Sequence, residues 1–395
     1  MINNIYSHWD WGSMIFYFFL SIVGCLSLFF VKKRECKTGK KQSIISLPYV
    51  VWFLLWTFVA AYRYVGHGVG GADASAYIFF FRNCFSSNLP SYYTHYDILF
   101  QLINKFIRFF TGNYYLFFIL IYGFIVYSII LFVNEFCPKK ANFIPFVLMF
   151  YLYLRSFNTL RSNLAIAFIL VSLVLFNKEK KIFGYLLLFS SFLIHKAAII
   201  YILIVIIYRM YHNNKIKLKY CVLLAIFFTI IARYAQRHLL PYFGDSLNGA
   251  YISYSRRSLY VGFFDNYWKI AFGQLMLLLF IVVFNKTINH YIDTMDDDGD
   301  KSRIKNIFSL CCFDLSSVYL TFILGMWRGY EFLYLPRLIL WSQIIYIVQQ
   351  RLSINTKRLI NIITVVIFMF YLYNRVFSTW DDSNLMPYVF GPFYW

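Results

Sequence analysis

Residues 182–208 read IFGYLLLFSSFLIHKAAIIYILIVIIY, and the way this apolar run is divided decides the fold. Its length allows one long helix, because a hydrocarbon layer of about 30 Å is crossed by about 20 helical residues. Both flanks, however, are lysine-rich: NKEKK at 177–181 and RMYHNNKIKLK at 209–219. Basic loops collect on the cytoplasmic side of a membrane, so both flanks belong on one side. The run is therefore expected to dip in and return as a hairpin that turns near His195 and Lys196.

The remaining apolar runs are 13–31, 44–62, 114–133, 141–154, 162–176, 220–235, 267–286, 307–325, 332–348 and 359–376. With 182–194 and 197–208 they make twelve expected crossings in one transmembrane domain over 1–395. Lipid offers no partner for backbone polar groups, so such runs fold as helices and the expected class is all-α. Hydrophobic residues at 61% and charged residues at 14% exclude a water-soluble catalytic domain. The lysine-dense loops 32–43, 134–140, 177–181, 209–219, 287–306 and 349–358 then all lie in the cytoplasm, and both termini are expected outside. The stretch MINNIYSHWDWG carries no basic n-region and no small-residue cleavage site follows, so the first run is expected to remain as a helix. The seven cysteines lack C-x-x-C or metal-ligand spacing and read as small core residues.

The same topology separates the two basic residue types. Counting Lys286 with the loop it adjoins, all but three lysines fall in cytoplasmic loops, whereas all but five arginines fall on or near the outer face. Positive-inside bias accounts for the lysines and disfavours arginines at 63, 155, 161, 233, 237, 256, 257, 328 and 337. Single arginines snorkel to headgroups, but the whole set implies an anionic occupant of that face. Two short outer connections concentrate them. RSFNTLR sets Arg155 and Arg161 at the tips of facing helices, and WRGYEFLYLPR brings Arg328 and Arg337 to the mouth of another pair. Guanidinium forks bind phosphate oxygens bidentately and keep their charge in a low dielectric. A charge held at membrane depth is costly and reads as function.

Two longer outer segments, 63–113 and 236–266, are expected to cover the site. The first opens with Arg63 and GHGVGGAD, a glycine-rich turn rather than a dinucleotide loop, since no strand precedes it. It continues as YDILFQLINKFIRFF, with Gln101, Asn104, Lys105 and Arg108 on one helical face and Leu99, Leu102, Ile103, Phe106 and Phe110 on the other. That pattern describes an interfacial helix, placed to roof a cavity. The second segment carries Arg256 and Arg257 among tyrosines that either stack on sugars or form an interfacial belt. His195, at a buried turn, has the side chain best suited to exchange a proton near neutral pH. DDDGD at 296–300 reads as a solvated acidic loop, because no glutamate closes a calcium loop there. No metal, cofactor or nucleic-acid partner is expected.

Three matches carry a resemblance. They are Asp73 with Tyr77 (D-x-x-x-Y) after Arg63, Arg161 opening RSNLAIAFILVSLVLF, and IHKAA with His195 before small residues; Arg328 ahead of an aromatic-rich helix is a fourth. In these the chain resembles the EpsG/Wzy-like family of exopolysaccharide, capsule and O-antigen polymerases. It departs from the family at Asp97, where a Glu commonly starts the amphipathic helix. The resemblance implies a membrane glycosyltransferase, with a GT-C-like core as a candidate, in the bacterial cytoplasmic (inner) membrane. It would join oligosaccharide units carried on undecaprenyl diphosphate at the outer face, beside a flippase and a chain-length regulator of the same pathway. No nucleotide is available outside, so the donor must arrive already activated, and a lipid diphosphate also explains the outer arginines.

On this reading Arg161, Arg328 and Arg337 clamp the diphosphate, and Arg63 and Arg155 hold the second lipid-linked chain. His195, or Asp73 as its rival, takes the proton of the attacking hydroxyl in an inverting, metal-independent step. Tyr77, Asp97, Arg256 and Arg257 are further candidates. Two other classes would use a similar cationic cavity. A lipid-linked oligosaccharide flippase would show internal repeats, which the two halves lack; a membrane O-acyltransferase would need an acyl donor from the cytoplasm.

Overall fold

The computed structural model describes residues 11–66, 70, 71, 73–90, 96–199, 201, 202, 204–206, 227, 278, 279, 281–295, 297–323, 332–350, 352–372, 385, 388, 390 and 391. Among them the regular elements are helices: α1 (Trp11–Thr38), α2 (Leu47–Ala61), α3 (Ala74–Asn83), α4 (Ile98–Phe110), α5 (Tyr114–Phe136), α6 (Met149–Asn158), α7 (Leu160–Asn177), α8 (Lys181–Ile194), α9 (Asn285–Asp293), α10 (Asp298–Ile323), α11 (Tyr334–Gln349) and α12 (Ile354–Leu372). The chain divides into two compact units, Met1–Lys196 with Trp341–Trp395, and Ala197–Leu340.

Local chemistry sets the helix ends. Pro48, with its fixed φ and missing N–H, stands in the first turn of α2, where that N–H would be unpaired anyway. The Asn113 side chain caps α5 by accepting the Tyr115 amide at 2.8 Å. DDDGD proves to be a helix start: Asp298 and Asp300 fill the first turn of α10 and favour its positive dipole end. Asp297 accepts the Asp300 amide at 3.1 Å, and Asp300 pairs with Arg303 at 2.9 Å.

Helices α1, α5 and α7 are long and apolar enough to cross a bilayer, and α2 and α8 are shorter apolar helices. The run 182–208 breaks where the sequence expects. Helix α8 stops at Ile194, His195 is extended, and a 3-10 turn follows at Lys196–Ala198. The expected crossing at 141–154 is instead a 3-10 turn, Ile144–Leu148, leading into the ten-residue α6. Nearly all of the expected crossings at 220–235 and 267–286 lies outside the described residues.

In the first unit α1 packs on α2, α2 on α5, α5 on α7 and α7 on α8. Their ends collect into two assemblies of opposite character. At one, Lys32 and Glu35 form a fully buried pair at 2.9 Å, and Glu35 also accepts the Gln42 amide. Beside them Glu135 pairs with Lys41 and Lys178 and accepts from Asn177, while Asn142 donates to Gln349 and Asn361. Residues in or flanking four of the lysine-dense loops thus meet at one end of the unit. At the other, the chain near its end returns to the start of α1 and the end of α2. The Tyr388 amide donates to Ser13 at 2.7 Å, Tyr17 to the Leu385 carbonyl at 2.9 Å and the Gly391 amide to the Tyr62 carbonyl at 2.7 Å. Polar groups are drawn inward, while Phe19, Leu26, Phe30, Leu120, Phe183, Leu186 and Val366 stay exposed. That inverts the pattern of a water-soluble surface and suits lipid contact.

Candidate functional site

The glycine-rich turn brings distant motifs together. Gly71 has φ +109°, and a Cβ there would lie 2.5 Å from the Phe157 carbonyl, so only glycine fits this approach to α6. One residue beyond the adjoining Ala72, the Asp73 amide donates to the Asn158 side chain at 2.8 Å. Asn158 ends α6, Thr159 breaks the helix and α7 begins at Leu160. Arg155 therefore lies in the last turn of one helix and Arg161 in the first turn of the next, as RSFNTLR suggested.

Arg161 is the centre of the arrangement. Its guanidinium lies over the Tyr96 ring at 4.2 Å, and one terminal nitrogen meets the Asp97 carboxylate at 3.5 Å. Its Nε–H is buried and has no hydrogen-bond partner among the described residues. The Asp97 side chain is 8% exposed and that of Arg161 23%. Burial pushes the Asp97 pKa above the ordinary carboxylate value; the Arg161 and Lys196 charges and the backbone amides of Lys196 and Asp97 itself pull against that shift. The Lys196 backbone and charge therefore lie near the Asp97 carboxylate, and half-buried His195 adjoins Lys196 in the chain. Beneath the cluster, Tyr77 and Phe80 of α3 pack against Tyr96 and Phe100.

Helix α4 rests on α3, α5 and α8 and leaves Leu102, Phe106, Phe109 and Phe110 exposed. Asn104, expected on its watery face, is instead fully buried and donates to the Phe100 carbonyl at 2.8 Å. The protein-facing side of α4 is narrow (Phe100, Asn104, Ile107), and the apolar face points away from the fold.

Arg63 has a different role from the one its sequence position implies. It is 1% exposed, donates to the carbonyls of Gly70, Ala60 and Phe157 and to the Tyr122 hydroxyl, and lies against the rings of Phe118, Tyr122 and Phe157. Phe390 forms a backbone bridge with it. A side chain enclosed in this way has no face for a lipid-linked chain; Arg63 ties the end of α2 to α5, α6 and the turn before Asp73. Arg337, in the second unit, is 3% exposed and donates to the Leu333 carbonyl at 3.2 Å. Arg328, Arg256, Arg257 and the segment 236–266 lie outside the described residues. Among the described residues no group of His, Cys, Asp and Glu is arranged to hold a metal.

The structure thus joins Asp73, Tyr77, Asp97, Arg155, Arg161 and His195 within one unit, and it adds Tyr96, Asn158 and Lys196. Lys196 carried a signal, as one of the three lysines outside the cytoplasmic loops. Tyr96 and Asn158 carried none.

A multi-helical membrane protein with a cationic, partly buried cluster at its helix ends is the class these features define. Residues 46–390 match the model of the EpsG family, and the chain belongs to that family. No curated protein and no solved structure matches it. Membership points to a glycosyltransferase-like polysaccharide polymerase of exopolysaccharide biosynthesis, acting on lipid-linked sugars in a membrane.

Proposed function

We propose that the chain joins undecaprenyl-diphosphate-linked oligosaccharides at the extracytoplasmic face of the bacterial cytoplasmic membrane, for an exopolysaccharide, capsule or O-antigen. The carrying observation is Arg161, whose guanidinium has one long carboxylate contact and a buried Nε–H without a partner. Such a group is ready to take phosphate oxygens. It sits at the helix ends opposite the lysine-rich assembly, which supports an outward-facing site.

In the reaction, the acceptor hydroxyl oxygen bonds to the anomeric carbon of the donor while the bond from that carbon to the diphosphate breaks. The electron pair goes to the leaving phosphate oxygen, where Arg161 neutralises the growing charge. The hydroxyl proton passes to His195, for which Asp73 is the alternative, and lipid diphosphate departs. A single displacement inverts the anomeric centre. Arg155, in the last turn of α6, holds the second lipid-linked chain.

The test is polymer length in a polymerase-deficient strain. Arg161→Ala, expressed at the normal level, is expected to lower the rate about 100-fold or more and leave single units. Full ladders from this variant would remove the clamp.

A further inference from the structure

Arg161 already has an anion beside it. The Asp97 carboxylate stands 3.5 Å from its terminal nitrogen, a loose contact for a pair in which one side chain is 8% exposed and the other 23%. Lys196 lies near enough for its charge to attract the same carboxylate. The Tyr96 ring lies 4.2 Å from the guanidinium carbon on another side, and among the described residues the buried Nε–H has no partner.

We infer that Asp97 is a specificity-determining residue: its carboxylate occupies one phosphate position against Arg161, so that a doubly charged diphosphate displaces it and a singly charged phosphodiester lipid does not. This rests on the polymerase reading. The site faces a membrane of phospholipids, each with a phosphodiester able to pair with an exposed arginine. Two cations, Arg161 and Lys196, and one carboxylate leave a single net positive charge. A phosphodiester brings no more charge than the carboxylate it must replace, and it meets that carboxylate at close range. A diphosphate brings twice the charge and a second set of oxygens for the free Nε–H. Specificity thus comes from a repulsive element as well as an attractive one.

The full chain in phosphatidylcholine nanodiscs, loaded with radiolabelled undecaprenyl diphosphate, is challenged with increasing phosphatidylglycerol. The wild type is expected to keep the label. Asp97→Asn is expected to lose it at phosphatidylglycerol levels on the order of 10-fold lower, and Asp97→Glu to behave as the wild type. Equal retention by wild type and Asp97→Asn would overturn the inference and leave the polymerase reading standing. A wild type that holds no more label than Arg161→Ala would instead overturn the diphosphate site itself.

Acidification gives a second route that does not depend on the folding of Asp97→Asn. The groups facing Asp97 are Arg161 from α7, Tyr96 before α4 and Lys196 after α8, with His195 adjoining. In a His195→Gln background the discrimination should fall as Asp97 takes up its proton, and a flat profile would count against the inference. Soluble inorganic pyrophosphate separates the sources of the ligand. Displacement of the label by pyrophosphate as readily as by unlabelled lipid diphosphate would overturn a lipid-borne ligand, and resistance to it supports one.

Discussion

The guanidinium carbon of Arg161 lies 4.2 Å from the centre of the Tyr96 ring. This contact restrains the guanidinium, and the tyrosine is itself held by Tyr77, Phe80 and Phe100. Ring and charge attract by about 0.5–2 kcal/mol depending on solvation. Tyr96→Phe should therefore keep near-normal polymer yield, and Tyr96→Ala should lower it by roughly 10-fold. Equal losses in the two would show that the hydroxyl, not the ring, matters.

Arg63→Ala should be among the most destabilising single changes in the chain. It removes a buried charge and strands the carbonyls of Gly70 and Phe157 beside an empty space, a loss on the order of 3 kcal/mol or more. Arg63→Lys should recover little, because an ammonium cannot reproduce a planar fork. Thermal unfolding in detergent measures both, and a lysine variant melting with the wild type would refute the framework role.

Two glycines with positive φ provide a paired test. Gly39 (φ +69°) has open space around its would-be Cβ, so Gly39→Ala should cost only backbone strain, about 1 kcal/mol. Gly71→Ala adds a collision with Phe157 and should cost clearly more. It should also reduce polymerisation, since the Asp73 amide would lose its register with Asn158.

Asp97 sets a pH dependence whose sign follows from its raised pKa. The folded protein holds the Asp97 proton to higher pH than the unfolded chain does, so stability falls as pH rises from the ordinary carboxylate range through the raised value. Above that window Asp97→Asn should be as stable as the wild type or slightly more so, even though an ion pair is lost. A marked drop in unfolding temperature for this variant at neutral pH would contradict it.

The buried Lys32–Glu35 pair should behave as buried pairs do. Glu35→Ala leaves the ammonium unpaired and should cost about 3–5 kcal/mol, whereas the double change Lys32→Met with Glu35→Leu should lie much closer to the wild type. A double-mutant cycle read by thermal unfolding separates the two.

Helix content and the break at His195 were legible in the sequence because hydrophobic period and lysine placement report directly on lipid and its polar edges. The meeting of the lysine-rich loops was legible for the same reason. The role of Arg63 was not. Its charge and position read as substrate contact, and only the fold reveals the carbonyls of Gly70, Ala60 and Phe157 closing on it. Asp97 was visible as a departure from the family pattern, but its partner comes from residue 161 and a second nearby cation from residue 196. Those separations leave no periodic trace. Asn104 was misread for a simpler reason: a polar side chain on an amphipathic helix was assigned to water, whereas it satisfies part of its hydrogen bonding on the preceding turn.

The contacts of Leu385, Tyr388 and Gly391 with Tyr17, Ser13 and Tyr62 join residues separated by more than 300 positions and so made at very different times. Until the ribosome has passed residue 391, the hydroxyl of Tyr17 and the carbonyl of Tyr62 lack these partners, so the first two helices must wait in the bilayer with that edge unsealed. This edge of the first unit therefore closes only once residues 385–391 have been made. Chains truncated a few residues before that segment should be cut by added protease near residues 13 and 62, where the longer chain resists.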